Sequence, residues 1–123
     1  MKKIILILIA FLLIISACSP EKNDTSNNPL QGAVQEFKIT AKQFAFEPET
    51  IEIHKGDRVR LIVTSLDLPH GFSILEYGIN ERLNPGEPVA IEFTADQEGE
   101  FTMFCSLYCG SEHSEMKGKM IVR

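Results

Sequence analysis

The chain has 123 residues, 24% of them charged and 44% hydrophobic, and carries a net charge of −5. That length suits a single domain. The acidic balance argues against a nucleic-acid partner, whose phosphates require a basic face. It permits docking to a basic protein, or simply reflects a solvated acidic surface.

Lys2-Lys3 forms a positive start, and Ile4 to Ile15 is an uninterrupted apolar run. A spanning helix needs about 20 apolar residues, so this run is too short and reads as the core of an export signal. Ile15-Ser16-Ala17-Cys18 follows directly and resembles the lipobox of bacterial lipoproteins. The resemblance implies cleavage after residue 17, lipid on Cys18 and an exported, lipid-anchored protein. It would sit at the outer face of the cytoplasmic membrane or in the periplasm. Without residues 1–17 the chain has ten basic and 17 acidic residues, a charge of −7. Residues 18–33 continue as a polar segment poor in aromatics, which cannot bury enough surface to offset chain entropy. They are expected to be a flexible tether.

From Val34 the pattern becomes that of strands. Phe37 and Ile39, Ile51 and Ile53, Val59, Leu61 and Val63, and Val89, Ile91 and Phe93 each alternate with polar residues. Phe101, Met103 and Cys105 share one strand face, and Met120 and Val122 another. Breaks fall at Glu47-Pro48, Lys55-Gly56-Asp57, Asn84-Pro85-Gly86 and Glu98-Gly99, where turn residues cluster. Period two with turns at this spacing predicts an all-β antiparallel sandwich over residues 34–123. No stretch has the periodicity of an amphipathic helix.

The chemistry is concentrated in Cys105-Ser-Leu-Tyr-Cys109-Gly-Ser-Glu-His113-Ser-Glu-Met116. Two thiols, an imidazole and a thioether within one loop are soft ligands of the kind that suit copper or zinc, and the thioether favours copper. Outside the cytoplasm, two thiols so close also commonly oxidise to a disulfide, so spacing alone leaves disulfide or metal open. Gly110 lets the backbone bend just after Cys109. A further ligand is expected from another loop, and His70, after Pro69, is the candidate. It is placed in a loop at the same pole of the sandwich. His54 has no companion signal and reads as structural, and Met103 reads as core.

Cys-x-x-x-Cys-Gly-x-x-His-x-x-Met with an upstream Asp-x-x-His resembles the CuA domain, the copper-bearing part of cytochrome c oxidase subunit II that nitrous oxide reductase shares. The likeness extends through Gln43-Phe-Ala-Phe, Glu47-Pro48, Gly56-Asp57, Thr64-Ser65, Asn84-Pro85-Gly86, Gly99-Glu100-Phe101 and Lys117-Gly118-Lys119-Met120. It implies a Greek-key, cupredoxin-like β-sandwich holding two copper ions. The thiolates of Cys105 and Cys109 would bridge them, and His70 and His113 would each bind one. Met116 and the backbone carbonyl of Leu107 would be weak ligands, with Asp67 orienting the site through a hydrogen bond. The implied activity is one-electron transfer between a cytochrome c-type donor and a membrane terminal oxidase, with no catalysis by the chain alone.

Two departures qualify the likeness. Leu107 stands where subunit II commonly has a Glu that reaches a magnesium site, and the short apolar run replaces the usual spanning helices. Two other classes remain open. A copper carrier or assembly factor would deliver the metal to another protein, and a thiol–disulfide oxidoreductase would use the cysteines directly. The strand pattern and Met116 disfavour the last.

Overall fold

The computed structural model describes residues 34–123. The expected signal segment, Cys18 and the tether lie outside the described residues. Nine strands follow in order: β1 (Val34–Lys42), β2 (Ala45–Glu47), β3 (Thr50–Ile53), β4 (Arg58–Ser65), β5 (His70–Ile74), β6 (Ile79–Leu83), β7 (Val89–Thr94), β8 (Gly99–Phe104) and β9 (Lys117–Val122). Two single 3-10 turns, Leu75–Tyr77 and His113–Glu115, interrupt them. No helix among the described residues is long and apolar enough to cross a membrane.

The strands form two sheets, ordered β2-β1-β4-β7 and β3-β9-β8-β5-β6. The expected sandwich is present, but its sheets are mixed. β1 runs parallel to β4 with Phe37 opposite Leu61, and β3 runs parallel to β9 with Ile51 opposite Met120. The remaining strand pairs are antiparallel. Alternation of side chains is the same in both kinds of ladder, so the sequence pattern is blind to this difference.

The alternating residues meet between the sheets. Ile39 of β1, Val59, Leu61 and Val63 of β4 and Ile91 of β7 are buried from one side, Ile51, Ile53, Phe101, Met103, Met120 and Val122 from the other. Phe46 of β2 and Phe72 of β5 pack edge to face across the gap, ring centres 5.4 Å apart. Tyr77 stacks on Phe93 of β7 and Phe101 of β8, joining the two sheets at a side. All five residues of β5 are buried. That strand therefore shows no alternation, and His70, expected in a loop, is its first residue.

The parallel pairing positions the site. β1 and β4 both end at one pole, where β5 and β9 begin and β8 stops. The turns there carry Gln43, Asp67, Cys105, Cys109, His113 and Met116.

Candidate metal centre

Each side chain reaches the pole by a separate local device. Cys105 directly follows β8, and its N–H donates to the carbonyl of Met116 at 3.1 Å, closing the loop between them. Within that loop the His113 N–H donates to Gly110 O and the Met116 N–H to His113 O, forming the 3-10 turn that carries the imidazole. β5 and β8 pair through Ser73 and Phe104. Toward the pole, Gly71 lies against the start of the cysteine loop. A Cβ on Gly71 would collide with Ser106 Oγ and come within 2.7 Å of the Leu107 nitrogen. The bare glycine lets His70 approach the sulfurs. The Gly71 N–H points at Cys105 Sγ, 3.5 Å away.

The two sulfurs are 3.7 Å apart. Both cysteines are free and buried; a disulfide would hold the sulfurs at about 2.05 Å. His70 Nδ1 lies 3.8 Å from Cys105 Sγ, and His113 Nδ1 lies 3.6 Å from Cys109 Sγ. Met116 Sδ is 3.8 Å from Cys109 Sγ, and the Leu107 carbonyl oxygen 3.0 Å from Cys105 Sγ. Thus an imidazole stands beside each sulfur. Donor pairs at these separations can share a first-row ion bound at about 2.0–2.3 Å to each. The ligand atoms of His70, Cys105 and Cys109 all lie within 4.8 Å of one another. Two thiols, two imidazoles, a thioether and a carbonyl form a donor set that fits copper.

Electrostatics order the groups further. Burial alone would raise the Asp67 carboxyl. The N–H of Gln43, the His70 ring and the N–H of Leu68 outweigh it and hold the acid below its ordinary value. Asp67 Oδ1 is 2.7 Å from His70 Nε2. An ionised carboxylate only accepts hydrogen bonds, so the proton belongs on Nε2 and the Nδ1 lone pair faces Cys105. His70 is wholly buried, and no buried side-chain nitrogen or oxygen among the described residues lacks a partner. Burial pushes the Cys109 thiol up to about 11, with the Cys105 thiol adding to it. A metal must therefore displace a firmly held proton, which couples binding to pH.

The structure brings His70, Asp67, Cys105, the Leu107 carbonyl, Cys109, His113 and Met116 to this one pole. Cys18 lies outside the described residues. His54 is at the far end, largely exposed beside Asp57. Sequence reasoning assigned no role to three supports. Gln43 bonds both Asp67 and the Cys109 carbonyl, Asn80 accepts a hydrogen bond from Ser106, and Gly71 supplies the close approach. The sole signal was the occurrence of Gln43 in the family-like segment.

Residues 5–122 match the family described as Cupredoxin-like domain. The chain is 42% identical over 89 residues to a nitrous-oxide reductase of Cupriavidus necator, covering 69% of this chain and 14% of that protein. It is 32% identical over 102 residues to cytochrome c oxidase subunit 2 of Thermus thermophilus, covering 78% of this chain and 76% of the relative. A chain of a heme-copper terminal oxidase dimer superposes with a TM-score of 0.67 at 27% identity, covering 99% of this chain and 95% of that one. The chain spans only 14% of the reductase, whereas it spans most of this Thermus thermophilus subunit. With its mixed-sheet sandwich and sulfur–imidazole pole, it belongs to the cupredoxin-like domain family, with relatives in cytochrome c oxidase subunit 2 and nitrous-oxide reductase.

Proposed function

We propose that this protein is a one-electron carrier built around a binuclear CuA-type copper centre. The observation that carries the reading is the pair of buried thiols 3.7 Å apart, each with its own imidazole beside it. Cys105 and Cys109 would bridge two copper ions. His70 and His113 would each hold one, with Met116 and the Leu107 carbonyl as weak ligands on either side. When bound, such a pair supplies a redox site in which one electron is shared between two metals.

The chain's own residues keep that exchange inexpensive. The sandwich fixes both imidazoles. Asp67 sets the His70 tautomer, and burial of both sulfurs and Met116 keeps water from the ligands. With protein donors on every side there is no open position for a substrate, which favours electron transfer over catalysis. The donor is a cytochrome c-type protein and the acceptor a membrane terminal oxidase, in keeping with the subunit 2 likeness. Lipid on Cys18 would hold the module at the outer face of the cytoplasmic membrane. Incorporation of labelled palmitate in the wild type, and its loss in Cys18→Ser, tests the anchor.

The deciding experiment is copper stoichiometry and frozen-solution EPR on the purified protein reconstituted with copper. Two coppers per chain with a seven-line hyperfine pattern are expected. One copper with a four-line pattern would overturn the binuclear centre and favour a copper carrier, to be tested by transfer to an apo oxidase.

A further inference from the structure

We infer that Gln43 is a positioning residue that ties the His70 half of the centre to the Cys109–His113 half. The inference deepens the copper reading and rests on it for its meaning. Two hydrogen bonds leave this single residue at the turn between β1 and β2. Its backbone N–H donates to Asp67 Oδ2 at 2.7 Å, while Asp67 Oδ1 holds His70 Nε2 at 2.7 Å. Its side-chain Nε2 donates to the Cys109 carbonyl, also at 2.7 Å and 66 residues away. The next carbonyl, that of Gly110, accepts the N–H of His113. One chain of contacts thus runs from His70 through Asp67 and Gln43 to Cys109, and on to His113.

The seat is built for the amide. Gly110 has a φ of +136°, and a Cβ there would lie 2.9 Å from Gln43 Nε2 and from two ring carbons of Phe44. The bare backbone of Gly110 makes room for the contact. β1, which ends one residue before Gln43, is paired with β4 from Val34 to Ala41, so the anchor is carried by the sheet's own turn and not by the cysteine loop. Gln43 therefore references the cysteine loop to the sandwich.

The two bonds are separable, and that gives the role a distinctive signature. Any substitution at position 43 except Pro keeps the backbone N–H to Asp67, whereas the tie to Cys109 needs the amide. Losing the side-chain donor should loosen the Cys109–His113 half and leave the His70 half in place. A general loss of stability would disturb both halves alike.

The test compares the full-length wild type with Gln43→Met, which keeps the volume without the donor. Gln43→Asn, whose amide is too short to span the gap, serves if the methionine variant does not fold. The readouts are histidine side-chain NMR with and without copper, and copper release to a chelator. The expected result is a shifted His113 ring, an unchanged His70 ring and release about fivefold faster, the size of one net hydrogen bond. Unchanged His113 resonances and release, or equal shifts of both histidines, would overturn the inference. Failure of the wild type to take two coppers would instead overturn the copper reading, and the copper-free spectra would still decide the role of Gln43.

Discussion

Two of the three histidines stand three residues from an aspartate, at opposite poles of the sandwich, and they differ in almost everything else. His70 is fully buried and lies 2.7 Å from Asp67, with its other nitrogen facing a sulfur. The His54 side chain is 82% exposed and lies 3.6 Å from Asp57. Asp57 spends its carboxylate on Gln35 and on the turn's own N–H. Backbone bonds hold that pole, the Asp57 N–H donating to the His54 carbonyl within the turn, the Gly56 N–H to Ala95 O and the Lys55 N–H to Arg123 O. At the site pole, side-chain groups take part as well, with Gln43 bonded both to Asp67, the partner of His70, and to the Cys109 carbonyl. The comparison teaches that a His–Asp spacing acquires chemical meaning from what else the fold brings within reach.

The largest expected effect comes from removing a sulfur, for which the far pole has no counterpart. Cys109→Ser should abolish two-copper loading and the seven-line spectrum while the apoprotein stays folded, as EPR and circular dichroism would show. Retention of both coppers would break the assignment of Cys109 as a bridge.

Next is the histidine contrast itself. In the copper-free protein His70→Ala removes one of the three partners of Asp67 and leaves a hole, costing about 2 kcal/mol. His54→Ala should fall within about 0.5 kcal/mol of wild type, since it removes an exposed side chain. Urea melts of the two variants measure the gap, and equal midpoints would show that the poles are not as different as their burial.

The aspartates sharpen the comparison in redox terms. Asp67→Asn weakens the acceptor that fixes the His70 proton and should shift the reduction potential and EPR parameters of the copper-loaded protein. Asp57→Asn should leave both unchanged. Protein film voltammetry of the pair reads the difference.

The smallest effect lies away from the metal. Burial raises the Tyr77 hydroxyl above 10.0, with Asp96 and Glu76 adding to the rise, and the hydroxyl donates to the Gln97 carbonyl. A raised acid favours the folded state only while protonated. Its contribution is therefore complete below the unfolded value of 10.0 and declines as pH rises above it. Tyr77→Phe should flatten the alkaline limb of the stability profile, measured by urea melts from about pH 8 to 11.

Much of this could be read before any coordinates. Strict alternation in β1, β3, β4, β7, β8 and β9 marked a sandwich, because a half-buried strand must segregate its two faces. The run of soft donors from Cys105 to Met116 was legible because its members are local, within one loop. β5 was harder, since His-Gly-Phe-Ser-Ile is buried on both faces and has no pattern to detect. Gln43 carried no chemical signal, because an amide's role depends on what it touches.

The sequence by itself determined the strand periodicity, the turn positions and the set of soft donors, all properties written within short windows of chain. Only the tertiary structure decided that β1 and β4 run parallel, that Gly71 admits His70 to the sulfurs, and that Gln43 bonds both Asp67 and the Cys109 carbonyl. Those facts depend on contacts between distant segments, and strand pairing fixes them through a direction and register to which side-chain alternation is indifferent.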